Sequence, residues 1–357
     1  MTQETQEKST VASRSGIREE WLALHREDAL EPALEIVDPH HHLWDFARHR
    51  YLLHDLLADT GSGHNVTQTV FIECTACYRA DGPPALRPVG ESEFVNGIAA
   101  MAASGAYGPI RVAAGIVGFA DLTLGTAVEE VLAAHLMAGG GRFRGIRHAA
   151  GWQDKTPEVH NSHTDPPPHL YRDHAKFREG FAVLGRMGLT FDAWLYHPQL
   201  DDLTDLARAF PDQPIVLDHV GGPLGLGWYA DKRAEIFAEW RRGIAELARA
   251  ENVSVKLGGL GMRINGFAFH RRERPPSSQE LADAWRPYIE TCLAAFGPAR
   301  CMFESNFPVD KLSGSYATYW NAFKRLAAGA SADEKALLFR DTARRFYRLP
   351  VASSETG

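Results

Sequence analysis

Eight short apolar, β-branched runs recur along the chain, at 36–40, 69–73, 112–118, 143–148, 190–196, 215–219, 253–257 and 301–306. Helical patterns separate them, clearest over 91–104, 125–138, 174–187, 199–210, 231–250, 279–296 and 315–329. Strands alternating with helices are the signature of parallel βαβ units, because a parallel neighbour needs a crossover long enough to hold a helix. Eight such units in 357 residues predict an α/β fold of the (β/α)8 barrel type, the TIM barrel, in a single domain. The rival, a doubly wound open sheet, carries a glycine-rich turn after its first strand; here that turn is rich in histidine. The barrel is expected to span 35–350. Residues 1–34 are read as a tail followed by a short helical arm over 17–30, which Pro32 ends, and 332–346 as an extra C-terminal helix.

In such a barrel the chemistry lies at the C-terminal ends of the strands. The first strand ends in Asp38-Pro39-His40-His41-His42. Side chains on a strand alternate faces, so His40 and His42 point one way and His41 the other. Later strand ends bring Glu73, Arg147 and His148, His197, Asp218 and His219, Lys256, Glu304 and Asn306. Charged and imidazole groups at the ends of so many apolar strands are costly to bury unless they are paired or bind something. Arg147 and Lys256 have a second reading, as counter-charges for Asp218 and Glu73.

A His-x-His on the first strand, single histidines after the fifth and sixth and an acidic group on the eighth resemble the amidohydrolase superfamily. The segments 37–45, 145–148, 217–223 and 301–309 are similar to its amidohydrolase-2 branch, which includes 2-pyrone-4,6-dicarboxylate lactonase, L-fuconolactonase and related sugar lactonases. The resemblance implies that His40, His42, His197 and His219, with Glu304, surround the reaction centre as ligands of Zn²⁺ or Mn²⁺. The branch also holds lactonases without a tightly bound metal, so a metal-free centre stays open. Where the family carries an Asp on the last strand, this chain has Asn306, and an amide cannot act as a general base. Glu304, two residues earlier, is expected on the same strand face as proton acceptor or metal ligand, with Asn306 and His219 beside it in catalysis.

The implied activity is hydrolysis of a small lactone or similar cyclic ester bearing carboxylates. Amide hydrolysis and non-oxidative decarboxylation at the same site are the alternatives, and a non-catalytic binding protein is the reading from another class. Arg79, Arg147, His148, Lys256, Arg263 and Trp152 are the expected substrate-binding residues, since guanidinium pairs bidentately with carboxylate and an indole can wall a ring. The loop over 152–173, with three prolines and several histidines, is long enough to be a lid. A net charge of −7 without a basic block argues against nucleic acid and anionic membranes as partners and leaves a small-molecule substrate, in a chain that could self-associate as a homo-oligomer. Four cysteines and a polar N-terminus without an apolar core predict a reducing, cytoplasmic setting.

Overall fold

The computed structural model describes residues 17–47 and 49–351; the tail expected over 1–16 lies outside them. Ten strands run in chain order: β1 (Glu35–His41), β2 (Trp44–Phe46), β3 (His49–Tyr51), β4 (Asn65–Ile72), β5 (Arg111–Gly118), β6 (Phe143–Arg147), β7 (Thr190–Ala193), β8 (Ile215–Leu217), β9 (Val253–Leu257) and β10 (Cys301–Phe303). Eight of them pair in the order β1-β4-β5-β6-β7-β8-β9-β10, every ladder parallel, while β2 and β3 form a separate antiparallel hairpin. The seam between β10 and β1 is closed by the residues just beyond β10. Asn306 N donates to His40 O at 3.0 Å and His42 N to Phe307 O at 2.7 Å. Asp38 ties the same seam, accepting from Ser305 N at 3.0 Å and Tyr316 OH at 2.9 Å. The sheet is therefore a (β/α)8 barrel, with helices between the strands as the alternation predicted.

The inner and outer cores follow from the alternation of side chains along each strand. Val37, Val70, Ile72, Val117, Val216 and Met302 fill the barrel, and Tyr347 and Leu349 from the C-terminal segment join them. The opposite faces pack against helices, which bring the large buried rings Trp240, Trp285, Trp320, Phe177 and Phe181. The helix Ser278–Phe296 begins at Ser277, whose Oγ accepts from Glu280 N at 3.2 Å, a reciprocal cap that the Ser-x-x-Glu spacing encodes.

Two kinds of boundary differ from expectation for physical reasons. The arm over 17–30 is helical only at Glu19–Leu22, because the polar groups of the following stretch bond to the barrel instead. Leu30 N donates to Asn321 Oδ1 at 2.7 Å, and Lys324 Nζ donates to the carbonyls of Leu30 (2.7 Å) and Glu31 (3.0 Å). The strands expected to end at His148, Tyr196, His219 and Asn306 leave the ladder earlier, at Arg147, Ala193, Leu217 and Phe303. The residues beyond turn inward over the barrel mouth.

Several histidines are buried and held neutral. Burial lowers His41, His64, His135 and His148 to about 4. Their folded values lie below the ordinary 6.5, so between these limits the unfolded chain binds the protons the folded chain refuses. This part of the stability is complete above pH 6.5 and falls as pH drops towards 4. Buried carboxyls oppose the trend: burial raises Asp38 and Asp192 to about 6 and Glu91 to about 8, and it also raises Asp59, Asp202 and Asp310. They are outnumbered, because His40, His42, His197 and His270 are lowered by burial as well. The melting temperature is expected to fall steadily from pH 7 to pH 5, with proton uptake on unfolding; a Tm independent of pH in this window would contradict it.

Candidate active site

Four side chains form the centre at the barrel mouth: His40 from β1, His42 just beyond it, His219 beyond β8 and Glu304 beyond β10. The rings of His40 and His42 stand 5.0 Å apart edge to face, and those of His40 and His219 stand 4.4 Å apart. His41 points the other way, with Nε2 at 2.9 Å from Thr69 Oγ1, as strand alternation requires. His219 is delivered by a turn in which residues 219–222 all have positive φ. For a β-branched residue such as Val220 that conformation is strained. Trp240 Nε1 holds it by donating to Val220 O at 2.7 Å.

Glu304 is fully buried and spans the two imidazoles. Its Oε1 accepts from His219 N at 3.1 Å and from His219 Nδ1 at 2.7 Å, while Oε2 lies 2.9 Å from His40 Nδ1. Burial pushes the carboxyl upward, but its neighbours, His219 foremost, win and hold it at about 2. Neither oxygen pairs with Arg147 or Lys256 among the described contacts. The position of Asn306 differs from expectation. The chain leaves β10 at Phe303 and reaches Asn306 at a φ of 55°, so the strand pleat no longer relates it to Glu304. Its Nδ2 donates to Asp310 Oδ1 at 3.0 Å and its backbone closes the seam.

Below the imidazoles lies a charged layer that the sequence only half disclosed. Lys256, fully buried, donates to Asp192 Oδ2 at 2.7 Å, and its Nζ lies 2.9 Å from Asp218 Oδ1 and 3.1 Å from His40 Nδ1. Tyr347 OH donates to the same Asp192 oxygen at 2.6 Å, linking the C-terminal segment to the centre. Arg147 Nε donates to Glu73 Oε1 at 2.8 Å and its Nη1 lies 3.6 Å from Asp218 Oδ2. Burial raises Glu73, yet His163 and Arg147 bring it down to about 2. Asp218 is lowered: burial opposes ionisation, and Lys256, His219 and Arg147 overcome it. The counter-charge reading of Arg147 and Lys256 is thus the arrangement present.

The remaining expected substrate residues are spread out. Arg79 pairs with Glu93 on the outer surface, donating from Nε at 3.1 Å. His148 accepts from Leu122 N at 3.2 Å and lines a cleft of about 260 Å³ with Phe119, Asp121, Asp165 and His174. Trp152 is half-buried, its backbone held by Gln199 Oε1 at 2.9 Å. Arg263 is half-buried in the turn Arg263–Asn265. Trp194, not on that list, packs edge-on against His219 at 4.8 Å.

Hydrogen-bond partners assign the ring protons. His42 Nδ1 faces only the carbonyl of Ile72 at 2.8 Å, so it is the donor and Nε2 keeps its lone pair. His219 likewise gives its Nδ1 proton to Glu304 and keeps a lone pair on Nε2. His197 is the reverse: Nδ1 accepts from Leu224 N at 3.2 Å, which leaves the proton on Nε2. Neither nitrogen of His197 then offers a lone pair to a cation, against the expectation that it would be a ligand.

His40, Asp218 and His219 bring one donor atom each within 4.8 Å of the others, a grouping that could hold a metal ion. Asp218 was not among the ligands expected from sequence, although a carboxylate next to His219 at a strand end was a visible signal. The set fits a divalent ion only in part. Lys256 already stands 2.9 Å and 3.1 Å from two of the three groups, and like charges a few ångströms apart repel by about 4 kcal/mol or more near a protein interior. An ion bound to both groups would share their space with a buried ammonium.

Gly259 sits against this centre with a φ of 67°, and a Cβ there would lie 2.4 Å from His219 Cγ and 2.5 Å from Nδ1. Gly259→Ala is expected to displace the ring from Glu304 and lower kcat by about a hundredfold without removing any ionisable group. Steady-state kinetics beside an unchanged far-ultraviolet spectrum would check it.

A closed (β/α)8 barrel carrying imidazoles and carboxylates at the C-terminal ends of its strands belongs to the class of barrel enzymes with a polar catalytic mouth. The amidohydrolase-2 family model matches residues 37–349, and the chain belongs to this amidohydrolase family. It is 32% identical over 342 residues to the uncharacterized protein y4mH of Sinorhizobium fredii, covering 88% of this chain and 99% of that one. It is 28% identical over 326 residues to an L-fucono-1,5-lactonase of Burkholderia multivorans, covering 88% and 96%. Among solved structures, an amidohydrolase from Burkholderia multivorans with bound zinc aligns with a TM-score of 0.65 at 25% identity, over 88% of this chain and 99% of that one. Among the described residues no helix is long and apolar enough to cross a membrane.

Proposed function

We propose that the protein hydrolyses small lactones, opening a cyclic ester to a hydroxy acid. The observation that carries this reading is the buried Glu304–His219 pair, with 2.7 Å between carboxylate oxygen and Nδ1. A carboxylate at Nδ1 fixes the tautomer that leaves Nε2 basic and stabilises the imidazolium that forms when the ring takes a proton. Water attacking the lactone carbonyl would pass its proton to His219 Nε2. The ring then returns it to the departing ring oxygen as the C–O bond breaks, giving one hydroxyl and one carboxylic acid, which loses its own proton to solvent. This places the proton on an imidazole backed by Glu304, in a chain whose last-strand position is an amide. Likeness to a relative named L-fucono-1,5-lactonase supports a sugar-like lactone as substrate.

Trp194, half-buried against His219, and His163, 3.4 Å from Glu73 and about a quarter exposed, mark the approach from solvent. Two arginines expected to hold a substrate carboxylate, Arg79 and Arg147, are engaged by Glu93 and Glu73. The proposal therefore rests on the lactone carbonyl and not on added carboxylates. Turnover in H₂¹⁸O tests it: one ¹⁸O should enter the new carboxylate with each lactone opened. Release of CO₂ or of an amine would replace the reading with decarboxylation or amide hydrolysis. Exhaustive chelation should leave the rate unchanged, whereas a loss restored by Zn²⁺ would assign the proton step to a metal-assisted centre.

A further inference from the structure

We infer that Lys256 is a positioning residue that fixes His40 as an Nε2–H donor, so that the two facing imidazoles carry opposite tautomers. His40 Nδ1 has two close neighbours, Lys256 Nζ at 3.1 Å and Glu304 Oε2 at 2.9 Å. One ring nitrogen can serve only one of them, because an ammonium has donors alone and a carboxylate acceptors alone. The Lys256 contact has hydrogen-bond geometry, whereas Glu304 Oε2 has no hydrogen-bond partner among the described residues. A protonated Nδ1 would set N–H against a fully buried ammonium that its Asp192 and Asp218 contacts keep in place. Glu304 meanwhile keeps both bonds from His219 on its other oxygen.

The chain contains a second pair of this kind in which the answer is forced. Lys324 Nζ lies 2.8 Å from His64 Nδ1, and His64 Nε2 lies 3.1 Å from the carbonyl of Ala317. A carbonyl only accepts, so His64 carries its proton on Nε2 and takes the lysine proton at Nδ1. At His40 the same arrangement leaves an Nε2–H that is buried and without a hydrogen-bond partner among the described residues. An orphaned buried donor is costly unless it has a ligand to meet. A carbonyl oxygen gaining negative charge is the ligand class that fits. His40 would donate to that oxygen while His219, 4.4 Å away, accepts from the water. This use of the donor rests on the lactonase proposal; the tautomer itself does not.

Neutron diffraction from the full-length, unsubstituted protein reads the tautomer directly and needs no substrate. The expected result is a deuteron on His40 Nε2, none on His40 Nδ1, and one on His219 Nδ1. A deuteron on His40 Nδ1 facing Glu304 would overturn the inference, whether or not lactones are turned over. Failure to open any lactone would instead remove the proposed function and leave the tautomer standing. A kinetic arm separates positioning from mere structure. Lys256→Gln retains an N–H donor for Nδ1 and should keep kcat within about tenfold, while Lys256→Met should lower kcat at least tenfold further with KM little changed. Equal kcat in two folded variants would contradict the role; if Lys256→Met does not fold, the neutron result decides.

Discussion

Glu304→Gln is expected to lower kcat for the proposed lactone opening by about a thousandfold or more while leaving the protein folded. The expectation follows from what an amide does at this position. Glu304 Oε1 accepts both the backbone N–H and the Nδ1 proton of His219, at 3.1 Å and 2.7 Å. A glutamine has one acceptor oxygen, and its NH₂ must face a ring nitrogen or the buried space beside it. If the NH₂ faces His219, the ring must accept at Nδ1, which moves its proton to Nε2 and removes the base. A tautomer error of this kind costs about 10⁴-fold in the serine protease triad. If the oxygen keeps His219, the loss is the imidazolium-stabilising charge, and the fall is smaller. The rate loss should appear in kcat with little change in KM, because Glu304 is fully buried behind the rings. Glu304→Gln with unaltered kcat would remove His219 as an oriented base.

Arg147→Met is expected to destabilise the fold by about 3–5 kcal/mol, with a modest effect on KM. The sequence reading made Arg147 a substrate ligand, and that role predicts the reverse pattern, a stable protein with a raised KM. In the barrel the guanidinium is nearly enclosed, bonding Glu73 through Oε1 at 2.8 Å and through the backbone carbonyl at 2.6 Å. Removing it leaves Glu73 buried with His163, about a quarter exposed and 3.4 Å away, as the nearby imidazole. It also strips one of the cations that keep Asp218 ionised. For a chain of this size a loss of that magnitude should lower Tm by roughly 4–7 °C. A raised KM with unchanged Tm would return Arg147 to the substrate.

The architecture was legible because each barrel strand is a short β-branched run bounded by a helical pattern, and that rhythm survives without knowledge of any contact. What stayed hidden was how each strand ends. Pleat alternation holds at His40, His41 and His42, within or just past β1, and fails at Glu304 and Asn306, where the chain has already left β10. Asp192 and Lys256 lie inside their strands and give a local signal, a charge within an apolar run, that demands a partner without saying which. The partner comes from the neighbouring strands and, through Tyr347, from the end of the described chain. The arm after Leu22 has the composition of a helix, but Asn321 and Lys324 claim its backbone groups from almost three hundred residues away. Such claims are tertiary, and no periodicity in the arm itself encodes them.

If an oriented imidazole, His219, takes the proton of water attacking a lactone, catalysis should be lost with that ring. Acid release from a panel of small sugar lactones, followed with a pH indicator for the unsubstituted protein and for His219→Ala, tests it most directly. One acid should be released per lactone opened by the unsubstituted protein, and the folded His219→Ala variant should fall to near the uncatalysed rate. Lactone opening that proceeds equally well without the imidazole would contradict the account.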